Sequence, residues 1–282
     1  MPELPEVEIT VRRLAVALEG AEVESALAPG VVTLKSVEPP LQALEGRQVS
    51  GLRRRGKLVI VEFGELGLLV HLMSAGRLSV FDKRASLRDK ASRLLIRLTD
   101  GRELRLREFG TRQRAWAKVL PASEVDADEY LQGLGPEALP VPDPATFTTL
   151  VDQPHHLHPL LRDQRTITGI GRTWVDDILW EARLSPFRLG SDLGDEEVGR
   201  LRVAVGAVLE RTLDAYEQQI GPAPPDKMPK PVAVHGRAGE PCPRCGNELA
   251  AVHYKDYSMA YCPEEQTEGR VLKDRRLSRL LK

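Results

Sequence analysis

The sequence predicts an α+β, multidomain chain: an N-terminal β-sandwich with a pinned N-terminal helix, a helical domain, and a C-terminal β-hairpin of zinc-ribbon type. Three observations carry this. Between residues 22 and 120, short apolar runs alternate with turn residues at the roughly 8–12-residue spacing of a sandwich or barrel. From Phe147 onward the apolar spacing becomes helical. The three cysteines stand at 242, 245 and 262, a pattern that suits a metal and excludes a disulfide framework. The length of 282 residues exceeds the ~100–200 typical of one domain. The expected division is a sandwich over 1–120, an acidic linker over 121–146, a helical domain over 147–238 and a cysteine module over 239–282.

The chain opens Met1-Pro2-Glu3-Leu4-Pro5-Glu6-Val7-Glu8. Pro5 suits the first position of a helix, where its missing N–H costs nothing, and Glu6 and Glu8 suit the positive end of the helix dipole. Val7, Val11, Leu14 and Leu18 form one apolar stripe before Gly20 ends the helix. A helix buried along that stripe would hold the residues before it in place, where most termini fray. Initiator methionine is normally removed before a small residue such as proline, leaving Pro2 with a free secondary amine. An α-amino group titrates near ~7.7–8.0, against ~10.4 for lysine, so much of it is unprotonated at neutral pH. Attack of such an amine on a sugar C1′ gives an iminium, and Glu3 beside it is suited to move the protons.

Within the sandwich region, Arg93–Thr99 and Glu103–Phe109 flank Asp100-Gly101, a pair that favours tight hairpin turns. Another strand, Leu58–Phe63, follows Arg53-Arg54-Arg55-Gly56-Lys57. This basic turn is suited to meet phosphates; taken alone, it is equally a solvated edge. Past the linker, Leu160-Leu161-Arg162-Asp163-Gln164 leads through Gly169-Ile170-Gly171 into a helix with the stripe Trp174, Ile178, Leu179 and Ala182. Two helices joined through glycines can simply pack on each other, or the amides opening the second can bind a phosphate. A longer helix from about Asp195 to Gln219 carries Leu201, Val205, Val208, Leu209, Leu213 and Tyr216, and the proline-rich residues 221–231 that follow read as an extended linker. In the cysteine module, Cys242-Pro243-Arg244-Cys245 is followed by Cys262-Pro263-Glu264-Glu265, with Glu265 where a ribbon's fourth cysteine would stand. Zinc is expected there, with Glu265 as fourth ligand and His253 as its substitute.

The net charge of −1 hides strong segregation. Residues 121–150 hold six acids and no Lys or Arg, while residues 270–282 hold six basic residues against Asp274 alone. Such asymmetry fits one basic face. With no signal peptide and no apolar run near the ~18–20 residues of a membrane span, the sequence reads as a soluble cytoplasmic protein.

The opening octapeptide resembles that of the formamidopyrimidine-DNA glycosylase and endonuclease VIII family, and similar segments follow in order over nearly the whole chain. The resemblance, to a divergent member, implies that Pro2 is the nucleophile and Glu3 its acid-base partner, that Glu6 also serves, and that Lys57 in its Arg-Gly-Lys turn contacts the phosphate beside the lesion. His71-Leu72-Met73-Ser74-Ala75-Gly76-Arg77-Leu78 is similar to the family's His-Leu-Gly-Met-Ser-Gly-Arg-Leu, with the methionine one place early. There a methionine, with an arginine and a phenylalanine of a later loop, fills the hole left by the extruded base. Arg107-Glu108-Phe109-Gly110 resembles that loop, which makes Met73, Arg107 and Phe109 candidates; as apolar residues, Met73 and Phe109 are equally ordinary core.

Gly169–Asp177 resembles the family's helix-two-turn-helix sequence Gly-Ile-Gly-Asn-Ile-Tyr-Ala-Asp-Glu, with Gly171 opening the helix and Arg172 in place of the phosphate-gripping asparagine. Tyr257 aligns with a phosphate-binding arginine of the family's finger. With Arg53, Arg54 and Arg55, these complete the expected DNA contacts. The implied function is a bifunctional DNA glycosylase/AP lyase that excises oxidised bases from duplex DNA through a proline Schiff base, working as a monomer with one structural zinc. The alternative is a damage-binding DNA protein without the glycosylase step, motivated by Arg172, Tyr257 and the shifted Met73.

Overall fold

The computed structural model describes residues 1–30, 32–86, 88–109 and 113–272. The chain forms two compact units, one of Met1–Gly133 with Leu213–Pro229, the other of Leu134–Thr212 with Lys230–Lys282.

The first unit begins with helix α1 (Leu4–Leu18), whose stripe residues Val7, Val11, Leu14 and Leu18 are all buried. Each such side chain contributes about 1.5–3 kcal/mol on burial, enough together to dock the helix firmly. Gly20 ends it at φ +67°, a left-handed conformation that glycine adopts without cost. Strands β1 (Val23–Leu27), β2 (Gly51–Arg55), β3 (Leu58–Phe63), β4 (Leu66–His71), β5 (Gly76–Phe81), β6 (Ser92–Leu98), β7 (Glu103–Glu108) and β8 (Trp116–Pro121) follow. They form two antiparallel four-stranded sheets, ordered β1-β6-β7-β5 and β2-β3-β4-β8. Val59, Val61, Leu68 and Val70 of one sheet meet Leu94, Ile96, Leu104 and Leu106 of the other in a core that α1 also joins. The sandwich expectation holds, as does the hairpin around Asp100-Gly101. Two single-turn helices, α2 (Ala122–Val125) and α3 (Glu129–Gln132), close this part of the chain.

The second unit contains α4 (Pro144–Val151), α5 (Leu157–Leu160), α6 (Arg172–Glu181), and α7 (Asp195–Gln219) as far as Thr212, the last turns of α7 belonging to the first unit. Asp143 caps α4 through the N–H groups of Ala145 and Thr146. Asp195, Glu196 and Glu197 crowd the first turn of α7, where the helix dipole favours negative charge. Phe147, Leu157, Trp174, Ile178, Leu201 and Val205 are all buried. The hairpin of β9 (Ala250–His253) and β10 (Ser258–Tyr261) and the short α8 (Pro263–Thr267) complete the unit. Among the described residues, no helix is long and apolar enough to cross a membrane.

Candidate functional site

The N-terminal candidates Pro2, Glu3 and Glu6 lie at the start of α1. Pro2 is half-buried, while Glu3 and Glu6 are 2% and 3% exposed. Glu3 caps the helix in a reciprocal capping box with Glu6, whose Oε2 accepts the Glu3 N–H at 2.8 Å. The other oxygen, Oε1, accepts the hydroxyl of Tyr216 at 2.8 Å. Tyr216 is fully buried on the last turns of α7, and burial, followed by the negative charges of Glu6 and Glu3, pushes its hydroxyl upward, so it stays a donor. Sequence reading placed Tyr216 on a core stripe and missed this contact; nothing local to the residue signals it.

Lys57 lies at the tip of the β2–β3 hairpin, in a two-residue turn that Gly56 opens at φ +57°. It is 6% exposed, and its neighbour Leu58 pairs with His71 across the sheet. Nδ1 of His71 accepts the Met73 N–H at 2.9 Å. Burial, and secondarily the Lys57 charge, lowers His71 to about 4, so the imidazole is neutral. The arginines before the turn, read from the sequence as suited to phosphates, have partners within the protein. Arg54 is committed to Glu8 on α1 at 2.9 Å and to the carbonyl of Gly56, and Arg53 to Glu62 and Asp126, each at 2.9 Å. Two of the three thus brace the hairpin, while Arg55 is half-exposed.

Phe109 lies beside the loop that carries Met73, because Gly76 pairs with Glu108 and the Phe109 N–H reaches the carbonyl of Ala75. Gly76 is required there: a Cβ would lie 2.4 Å from the carbonyl oxygen of Leu72. Met73 takes φ +50°, a left-handed backbone that costs about 1–2 kcal/mol in a residue other than glycine. The Arg107 guanidinium stacks over Phe81 and Phe109, at 4.5 and 5.1 Å from the ring centres, and pairs with Asp226. Phe109 is 55% exposed. Gly110, the last residue of the loop motif, lies outside the described residues, as does the basic tail from Lys273 onward.

In the second unit, Gly171 caps α6 and Arg172 follows it, exposed. Arg172 donates to the carbonyl of Asp256 at 3.2 Å, and its guanidinium lies 4.5 Å from the ring centre of Tyr257. Arg162 approaches the same ring to 4.7 Å, and Tyr254 stacks on it at 4.5 Å. The structure therefore gathers Arg172 and Tyr257 and adds Arg162 to them. Behind this patch, α6 supplies two buried carboxylates. Asp176 meets His158 at 3.1 Å, His235 at 2.7 Å and the Ala260 N–H at 3.0 Å, while Asp177 accepts the N–H groups of Ala233, Val234 and His235. Burial nonetheless raises Asp177 above the ordinary carboxylate range.

The sulfurs of Cys242, Cys245 and Cys262 lie within 4.8 Å of one another, so the three cysteines are placed to bind a metal. Burial opposes ionisation of Cys242, but the N–H groups of Cys245 and Arg244 and the Trp180 indole outweigh it and bring this thiol down to about 7. Burial pushes Cys262 up to about 12. Three thiols, one already poised to ionise, suit zinc, whose ~2.3 Å bonds to sulfur require such an approach. The Glu265 carboxylate, expected as fourth ligand, instead pairs with Arg244 and Arg183, each at 3.1 Å, and lies outside the three-sulfur cluster. The Glu265 position reaches Cys262 through its N–H. His253 is exposed on β9, also outside the cluster.

Residues 1–113 match the formamidopyrimidine-DNA glycosylase N-terminal domain, and residues 134–221 the formamidopyrimidine-DNA glycosylase H2TH domain. The formamidopyrimidine-DNA glycosylase of Moorella thermoacetica is 35% identical over 89% of this chain and 94% of its own. That of Enterococcus faecalis is 30% identical over 97% of this chain and 100% of its own. The crystal structure of wild-type Lactococcus lactis Fpg in complex with DNA containing N7-benzyl-Fapy-dG superimposes with a TM-score of 0.84 at 24% identity, covering 94% of this chain and 100% of that one. The chain belongs to the formamidopyrimidine-DNA glycosylase family. It is a DNA glycosylase of base excision repair with an associated lyase activity at abasic sites.

Proposed function

We propose that this chain, as a cytoplasmic monomer, excises oxidised bases from duplex DNA through Pro2, with Glu3, Glu6 and Lys57 completing the reacting centre. A damaged base stacked in a duplex is out of reach, so the nucleotide must first be extruded; Met73, Arg107 and Phe109 fill the space it leaves. With Met1 removed, the Pro2 nitrogen attacks C1′ and the bond to the base breaks. The base leaves with a proton from solvent, the C1′–O4′ bond opens with O4′ taking the proton of the Pro2 nitrogen by way of Glu3, and an iminium joins Pro2 to the opened sugar. Abstraction of a C2′ proton then expels the 3′ phosphate, which cuts the strand. Glu3 serves the proton transfers, Lys57 the phosphate beside the lesion, and Arg172 with Arg162 the backbone on the second unit. Zinc would be held by Cys242, Cys245 and Cys262, tying the β9–β10 hairpin to the segment before it.

The carrying observation is the capping box of Glu3 and Glu6, which fixes Glu3, the residue next to the amine, and Glu6 in buried positions. Borohydride added to the processed chain and a duplex with an abasic site should lock protein to DNA, and a retained Met1 or an N-terminal tag should abolish the adduct. Glu3→Gln should bind the duplex but lose excision by about 10²–10⁴-fold, the usual worth of positioned proton transfer. No adduct from the processed chain, with DNA affinity intact, would replace this reading with a damage-binding one.

A further inference from the structure

The buried Glu6 carboxylate draws a hydrogen bond from each side: the Glu3 N–H reaches Oε2, and the hydroxyl of Tyr216 reaches Oε1 from 210 positions away in the chain. Packing alone would be served as well by phenylalanine, since Tyr216 is fully buried and its ring would fill the same space. A buried hydroxyl costs free energy unless it is partnered, and this one is partnered by a carboxylate, the strong, charge-assisted kind of bond. Charged groups near Glu6 include Glu3, from the start of α1, and Arg77, from β5. Tyr216 ties the carboxylate to the last turns of α7.

We propose that Tyr216 is a positioning residue of the excision site: it orients Glu6, which holds the backbone of Glu3 and thereby keeps the Pro2 amine aimed at C1′. This rests on the N-terminal reading above. Tyr216 has no exposed surface, so it touches no nucleotide and acts through Glu6. The contact also makes the geometry of the amine depend on where the last turn of α7 sits. Anything that shifts that turn shifts the nucleophile, because a misplacement of about 1 Å is enough to cost ~10²-fold in rate.

The test is single-turnover borohydride trapping on an abasic duplex, with terminal processing confirmed by mass. Tyr216→Phe should lower the rate by about 10–100-fold, the worth of a hydrogen bond to a charged group, while the DNA concentration for half-maximal rate stays unchanged. In a Glu6→Gln background, the same Tyr216→Phe change should have less than about a third of that effect on a logarithmic scale, because the charge-assisted bond is already gone. An unchanged rate in Tyr216→Phe, or an equal loss in both backgrounds, overturns the proposal. Should Tyr216→Phe fail to fold, the Tyr216 ring carbon bearing the hydroxyl, labelled with ¹³C, should shift on Glu6→Gln in the otherwise native chain; no shift overturns it equally. A wild-type chain that traps nothing overturns the N-terminal reading itself, and this inference with it.

Discussion

The Arg107 guanidinium is paired with the carboxylate of Asp226, and Arg77 donates from Nε to the backbone carbonyl of that same aspartate. Asp226 lies in the proline-rich stretch after α7, so this segment is tied to the arginine expected to enter the duplex. The pair is partly exposed, the Asp226 side chain at 45%, and is worth only ~0–1 kcal/mol to the fold.

Asp226→Asn should therefore leave thermal stability within about 1 kcal/mol of wild type. It should strengthen binding to an abasic duplex, because Arg107 no longer has a carboxylate to leave and one negative charge is removed. Titration by fluorescence anisotropy at fixed salt checks this; weaker binding would mean that Asp226 supports Arg107 in the complex.

DNA affinity should fall steeply with salt. Each phosphate neutralised contributes a slope near ~0.9 log units. Lys57→Ala and Arg172→Ala should each reduce the slope by about one contact, whereas Arg54→Ala should not, because its guanidinium is buried against Glu8. Arg54→Ala should instead lower the melting temperature. An undiminished slope in Lys57→Ala would remove that residue from the phosphate contacts.

Acid should destabilise the first unit through His71. Above pH 6.5 the folded and unfolded chains are both neutral at this position, so it contributes nothing to the pH dependence. As pH falls from 6.5 toward the folded value of about 4, the unfolded chain takes up a proton that the folded chain refuses. The fold loses up to ~3 kcal/mol across that window. Melting measured between pH 7 and 4.5 should fall more steeply for wild type than for His71→Gln. Parallel curves would assign the acid sensitivity elsewhere.

Elemental analysis of the purified chain should give about one zinc per molecule. Cys245→Ser should lose it and speed amide exchange across β9 and β10, since metal binding is coupled to folding in such modules. Glu265→Gln should retain the metal, because its carboxylate is engaged by Arg244 and Arg183. Loss of zinc in that variant would restore Glu265 as a ligand.

Periodicity and turn chemistry by themselves determined the local parts of this molecule. The stripe of α1 with Glu6 in its first turn, the Gly56-Lys57 and Asp100-Gly101 turns and the long α7 were all legible, because each is set by residues close together in the chain. The opening residues also carried the proposed nucleophile, Pro2, and its neighbour Glu3. Tertiary structure decided the rest. Tyr216 was an ordinary core tyrosine and Asp226 an ordinary linker acid until the fold set them against Glu6 and Arg107. Arg53 and Arg54 counted as positive charge in the sequence, yet the sandwich and α1 bring Glu62, Asp126 and Glu8 to them and make them braces. Glu265 took the place of a cysteine in the spacing, but Arg183 and Arg244 claim its carboxylate. In each case a charged or hydroxyl group takes its role from a partner that folding brings to it, and spacing along the chain does not encode that partner.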